Sequence, residues 1–235
     1  MKKFAHPTFS TYLYPHISTM PDNPESDSYQ TIAAPATGVF KDKGSKFLSF
    51  AYPVSTEDEI KEYLKEIKKE YFDARHHCFA YRLGWGGELW RVNDDGEPSS
   101  SAGKPILGQL RSYHVSDTLV IVVRYFGGTK LGIPGLINAY RQATANALQQ
   151  SVIIPKYDIR HATLAFPYQQ MNTVMKLLKE SLASISYGEN LSHEKHLSPE
   201  KSFSPDCRLS FSIRRSLFPA LSQKLSLIDQ LIITP

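Results

Sequence analysis

Cysteine is scarce in this chain. Its 235 residues include two, Cys78 and Cys207, far apart and without a CxxC spacing or a histidine at ligand spacing. That excludes a disulfide framework and the common zinc patterns, and points to a reduced compartment. Cys78 sits in the apolar run Cys78-Phe79-Ala80-Tyr81 and reads as a small core residue. Long hydrophobic runs are absent too, since none approaches the ~20 consecutive apolar residues of a membrane helix. The N-terminus shows no apolar stretch followed by a small-residue cleavage site. A cytoplasmic location with no membrane partner is expected. Charge of one sign is also missing: 27 Lys and Arg stand against 23 Asp and Glu, a net charge of +4. So small a bias is compatible with a nucleic-acid partner without demanding one.

What is present is an apolar fraction of 41% with 21% charged residues, the composition of a folded core rather than of bulk disorder. The most informative run is Val120-Ile121-Val122-Val123-Arg124-Tyr125-Phe126-Gly127-Gly128-Thr129-Lys130-Leu131-Gly132-Ile133-Pro134-Gly135-Leu136. A β-branched run predicts a buried strand, spanning Val115 to Tyr125. Glycines follow, and a helical pattern starts at Pro134, where the missing N–H costs nothing at the first helical position. Strand, glycine turn and helix start form a layout that can present N–H groups to an anion, with Arg124 and Lys130 adding fixed positive charge. The plainer reading is a tight turn that needs positive φ.

Upstream, residues 1–27 contain Pro7, Pro15, Pro21 and Pro24 and read as a loose extension, disordered or lying ahead of a true start at Met20. Gly38–Lys41 and Ser45–Ala51 predict two strands around a turn at which Lys41, Lys43 and Lys46 cluster. Thr56-Glu57-Asp58-Glu59 is a capping box, followed by Ile60, Leu64, Ile67 and Tyr71 at helical spacing. Asp73–Gly84 and Leu89–Val92 predict a hairpin. His76 and His77 are adjacent, point to opposite faces of a strand and cannot chelate one metal together. The turn Asn93-Asp94-Asp95-Gly96-Glu97-Pro98 carries three carboxylates. They can serve as a magnesium site or general base, or as turn formers that satisfy helix N–H groups. Ile106, Leu107 and Leu110 mark the next helix. Leu136, Tyr140, Ala143, Ala147 and Leu148 form the apolar stripe of the helix after the glycine run.

Pro155 marks a boundary. After it the pattern reads strand (159–166), helix (168–182), strand (185–191), polar loop (192–205), strand (206–214), helix (217–227) and strand (230–233). This is a βαββαβ, ferredoxin-like plan.

Five motifs occur in one order: Gly44-Ser45-Lys46-Phe47, His77 to Arg82, Asp94-Asp95-Gly96-Glu97-Pro98, Ala102-Gly103-Lys104-Pro105-Ile106-Leu107 and Val123 to Gly132. Together they resemble the IMPACT/YigZ family in its bacterial two-domain form, over roughly residues 30–150. The resemblance implies an α+β class. A first domain at 28–155 would have the α+β sandwich of the ribosomal-protein-S-five domain-2-like type, shared with elongation factor G domain IV and GHMP kinases. A ferredoxin-like domain at 156–235 would be similar to the C-terminal domain of elongation factor G. It also implies a translation-related or nucleic-acid-binding role. The regulation of a starvation kinase by eukaryotic relatives uses a further domain that this chain lacks and is not carried over. This chain departs from the family pattern at Ser99-Ser100-Ser101, and at Pro134 and Asn138, where the family has glycine and an arginine-rich helix start.

The expected function is therefore regulatory, with contact to RNA or the ribosome. The candidate phosphate-binding residues are Lys46, Arg82, Arg124, Gly127, Gly128, Lys130, Gly132 and Arg141, and Tyr125 or Phe126 would stack on a base if exposed. One alternative is an enzyme on a phosphorylated or nucleotide substrate, with Asp94, Asp95 or Glu97 as base or magnesium ligands. Another is an adapter that binds a protein partner. No nucleophile–base pair is visible, and no metal or cofactor is expected.

Overall fold

The computed structural model describes residues 27–183 and 206–234. The expectations for residues 1–26 of the N-terminal extension, for a strand at 185–191 and for a loop at 192–205 lie outside the described residues, while Asp27, counted in that extension, is buried in the fold.

A five-stranded antiparallel sheet organises the first part. Its strands are β2 (Ala36–Asp42), β3 (Ser45–Pro53), β4 (His76–Leu83), β5 (Leu89–Asn93) and β6 (Thr118–Tyr125), in the order β2-β3-β6-β4-β5. Helix α1 (Glu57–Glu70) covers one face, and α2 (Gly103–Ser112) and α3 (Gly132–Gln149) cover the other. Both faces of β6 are therefore buried, which is why its sequence is a continuous apolar run rather than an alternation. Val120 and Val122 join the core under α2 and α3 with Phe47, Cys78 and Tyr140. Leu119, Ile121 and Val123 join the core under α1 with Ile60, Ile67 and Phe79. Each such buried side chain is worth about 1.5–3 kcal/mol relative to exposure.

The expected strand starts late. Residues 115–117 precede β6 rather than belong to it, because His114 and Asp117 have left-handed backbones, at φ 54° and 50°. The capping box forms with one change of partner. Thr56 Oγ1 accepts from the Glu59 N–H at 3.3 Å, while Glu59 Oε2 reaches one residue further back, to the Ser55 N–H at 2.6 Å. Helix α3 begins at Gly132, so Pro134 is its third residue and not its first. That position costs nothing either, because the N–H it lacks would have no partner within the helix.

Pro155 lies inside a strand. Strand β7 (Ile153–Tyr157) pairs antiparallel with β1 (Ser28–Ile32), Pro155 opposite Gln30. A two-stranded ribbon leaves one edge of each strand free, so a residue without an N–H is tolerated there.

The chain then builds a second antiparallel sheet from β8 (Ile159–Pro167), β9 (Asp206–Arg214) and β10 (Ile232–Thr234), in the order β10-β8-β9. Helices α4 (Met171–Ala183) and α5 (Phe218–Leu225) share its core, in which Leu164, Phe166, Val174, Leu221 and Leu225 are buried. Both helices are entered through a 3₁₀ turn, at 168–170 and 215–217. The two parts meet at Asp27. Its carboxylate accepts from Arg214 Nη2 at 2.7 Å, and from the Ser216 N–H at 3.0 Å. Among the described residues no helix is long and apolar enough to cross a membrane.

Candidate functional site: a lysine-bearing sheet end and the α2–α3 cleft

The glycine run after β6 and the β2–β3 turn meet at one end of the five-stranded sheet. The turn is Lys43-Gly44, both residues with positive φ (45° and 81°), as a two-residue type I′ hairpin requires. Gly127 packs on it backbone to backbone: a Cβ at Gly127 would lie 1.8 Å from the Gly44 carbonyl carbon. The Gly127 N–H also donates to Ser45 Oγ at 3.2 Å. Gly127 is thus required by close approach. Gly128 and Gly132 are required by their backbone, at φ 86° and 71°, and no neighbour crowds a Cβ at Gly128.

The register sorts the candidate cations. Lys46 pairs with Tyr125 on one side and with Lys41 on the other. Lys41, Lys43, Lys46 and Lys130 are exposed, and none makes an ion pair with a described residue. Phe126 is 58% exposed and Phe72 81%. Asp73, next in the chain to Phe72, accepts from the Tyr125 hydroxyl at 2.7 Å. That hydrogen bond, more than burial, pushes the Tyr125 phenol up to about 12. The first turn of α3 carries no acid, and Leu131 offers no capping side chain. Lys130 therefore adds its charge to the positive end of the helix dipole.

Arg124 is not part of this exposed set. It is 7% exposed, and its Nη1 donates to Glu97 Oε1 at 2.7 Å. The Tyr140 hydroxyl donates to the same oxygen at 2.8 Å. Cys78 Sγ lies 3.2 Å from that hydroxyl. Burial, then the neighbouring Cys78 and Glu97, raise the Tyr140 phenol, and burial raises the Cys78 thiol.

The other carboxylates of the acidic turn are also engaged by the fold. Asp94 Oδ1 accepts from the Ala102 and Gly103 N–H groups at 3.0 and 2.8 Å, and Oδ2 accepts from the Ser100 N–H at 2.8 Å. Asp95 Oδ2 accepts from the His77 N–H at 2.7 Å. Among the described residues there is no cluster of His, Cys, Asp and Glu able to hold a metal ion.

Arg82 stands at the opposite end of the sheet. It pairs with Thr118 at the start of β6, whereas Arg124 and the glycine run lie at its end. Its guanidinium donates to the Val115 and Gly86 carbonyls. Burial, then the nearby Arg111, lower its pKa. Arg141 lies elsewhere again, in a cleft of about 350 Å³ between α2 and α3, with Lys104. Lys41, Lys43 and Lys104 were absent from the sequence-derived site. The signal for the first two was the hairpin register; Lys104 had no local signal, because the packing of α2 against α3 is what brings it near Arg141.

The chain is 37% identical over 153 residues to IMPACT family member YvyE of Bacillus subtilis (strain 168), a match that covers 64% of this chain and 70% of that protein. The chain belongs to the IMPACT family. A second IMPACT relative, family member YigZ of Escherichia coli (strain K12), is 35% identical over 154 residues, covering 65% of this chain and 76% of YigZ. The Impact N-terminal domain matches residues 43–148, a span that holds the hairpin turn, the acidic turn, α2, the glycine run and almost all of α3. A crystal structure of a hypothetical protein is similar over 88% of this chain and 96% of its own, at a TM-score of 0.63 and 28% identity. That likeness extends the shared fold beyond the IMPACT domain match.

Proposed function

We propose that this IMPACT-family chain is a translation-related regulatory protein that contacts RNA or the ribosome through the lysine-bearing sheet end. The observation that carries the reading is the cross-strand placement of Lys41 opposite Lys46, with Lys43 in the turn between them and Lys130 across the Gly44–Gly127 contact. Like charges directly opposite on a strand pair are destabilising. A fold that accepts them without carboxylate partners has a surface suited to an external polyanion. Phe126, 58% exposed and with the Arg124 guanidinium 5.7 Å from its ring centroid, adds an aromatic surface on which a base can stack. The carboxylates that an enzymatic reading would use are occupied by Arg124, Tyr140 and backbone N–H groups, so nothing at this end favours that reading over binding.

The finer fold assignment belongs to the same proposal. Residues 28–155 are assigned the ribosomal-protein-S-five domain-2-like sandwich, and 156–235 the ferredoxin-like plan. The antiparallel order β10-β8-β9 supports the second assignment, because the fourth, first and third strands of a split βαβ sheet lie in that order.

The test is binding of single-stranded RNA and of ribosomes as a function of salt. Binding should weaken steeply with salt, and the Lys43→Ala/Lys46→Ala/Lys130→Ala variant should reduce the slope by about 0.7 per lost phosphate contact. Salt-independent binding, or partners retained unchanged after nuclease treatment, would overturn the reading in favour of a protein-binding adapter.

A further inference from the structure

From the α2–α3 cleft we infer that this protein has a second anion site, separate from the lysine-bearing end, that takes a nucleoside phosphate. Ser100, Lys104, Gly108 and Gln109 line one side of the cleft, and Ile137 and Arg141 the other. Lys104 and Gly108 are one helical turn apart on α2, as are Ile137 and Arg141 on α3, so two short helical faces look across at each other. The charged residues in the lining are both cations. Neither makes an ion pair with a described residue. The ligand is therefore an anion.

Its size follows from the space. The cleft, open to solvent along one side, has a volume of about 350 Å³, at the lower end of small-molecule sites, roughly 300–1,000 Å³, and more than an isolated phosphate fills. The remainder of the lining suits a sugar and a flat ring. Ile137 and Pro105 give an apolar wall, and the Gln109 amide can both donate and accept at a base edge.

Gly108 supplies an independent observation. It sits inside α2, where glycine is destabilising relative to alanine. Its backbone does not need positive φ, and a Cβ placed there would meet nothing within 4 Å. Neither local conformation nor packing asks for glycine at this position. What a side chain here would do is fill the cleft.

The site does not depend on the RNA reading of the sheet end. Between Gly132 and Arg141 helix α3 rises roughly 14 Å, and the two sites share no residue. The nucleoside phosphate can be a free mononucleotide or one residue of an RNA strand, and the test separates these. The four ribonucleoside 5′-monophosphates and a short 5′-phosphorylated oligoribonucleotide are titrated against the full chain at low salt.

Saturable binding of at least one probe is expected, weakened about tenfold or more by Lys104→Ala or Arg141→Ala, as charge-assisted hydrogen bonds are lost. Gly108→Leu should abolish binding while melting no lower than the unsubstituted chain. Gly108→Ala should preserve it. Binding of the mononucleotides supports a free-nucleotide site, and binding of the oligonucleotide alone supports an RNA-strand site. No saturable binding of any probe overturns the inference, as does binding indifferent to Gly108→Leu and to both cation substitutions. The Lys43/Lys46/Lys130 variant should leave mononucleotide binding unchanged, so failure of one site is read separately from failure of the other.

Discussion

Single residues at the sheet end illustrate two different demands for glycine. Gly127 lacks a side chain because the Gly44–Ser45 backbone occupies the place where a Cβ would go. Gly128 has open space around it and is held only by its left-handed φ. Gly128→Ala should therefore cost about 1–2 kcal/mol, and Gly127→Ala distinctly more, because no rotamer change relieves a clash with backbone. Urea unfolding of the two variants gives the comparison. The buried Glu97–Arg124 pair makes a sharper case. Glu97→Ala leaves a guanidinium buried without its carboxylate and should cost about 3–5 kcal/mol. The joint replacement Glu97→Leu/Arg124→Met should cost less than the single change, since it removes both charges together. Equal losses in the two variants would show that the pair matters for shape and not for charge.

At the level of elements, α2 is started by a residue that precedes it by nine positions. Ala102 stands at the helix N-cap with no side chain to offer, and the Asp94 carboxylate reaches over to take three N–H groups at that end. The acidic turn thereby sets where α2 begins, and with it where Lys104 and Gly108 face the cleft. Asp94→Ala should destabilise by about 2 kcal/mol, the upper part of the capping range. Asp94→Asn should recover part of that, because its one carbonyl oxygen still accepts. Thermal unfolding followed by circular dichroism reads both. Helix α1 shows the local alternative, with its cap one residue before its first turn and visible as a sequence pattern.

Across the whole molecule, Asp27 ties the start of the first part to the end of β9. Burial alone would raise this carboxyl, but hydrogen bonds from Arg214 and Ser216, with the Arg214 charge, outweigh it and hold the pKa below the ordinary value. A carboxylate with a lowered folded-state pKa contributes stability that is fully present above the unfolded value near 3.9 and is lost as pH falls through the folded value. The gap in unfolding midpoint between the unsubstituted chain and Asp27→Asn should therefore be widest near pH 6–7 and shrink as the pH drops below about 4. A gap that holds constant down to acid pH would assign the Asp27 contribution to packing rather than charge. The link joins residues 187 apart in sequence, so no local pattern announces it.

Much of the architecture was legible because it is periodic. The continuous apolar run of β6, the capping box of α1, the apolar stripe of α3 and the apolar run of β4 each report burial within a few residues of themselves. The ordered motifs likewise pointed to the IMPACT family before any fold was visible. What the sequence could not reveal is how charge is distributed between surface and interior. Arg124 and Lys130 look equivalent as cations flanking a glycine turn. Only the tertiary structure sends Arg124 inward to Glu97 and leaves Lys130 outside, because helices cover both faces of β6 while Lys130 lies in the turn beyond it. The same holds for Arg82, a full strand length from the glycine run, and for the cleft that brings Lys104 to Arg141. Local sequence determines which segments are helix, strand and turn. Which charges meet, and which stay unpaired, follows from contacts between segments distant in the chain.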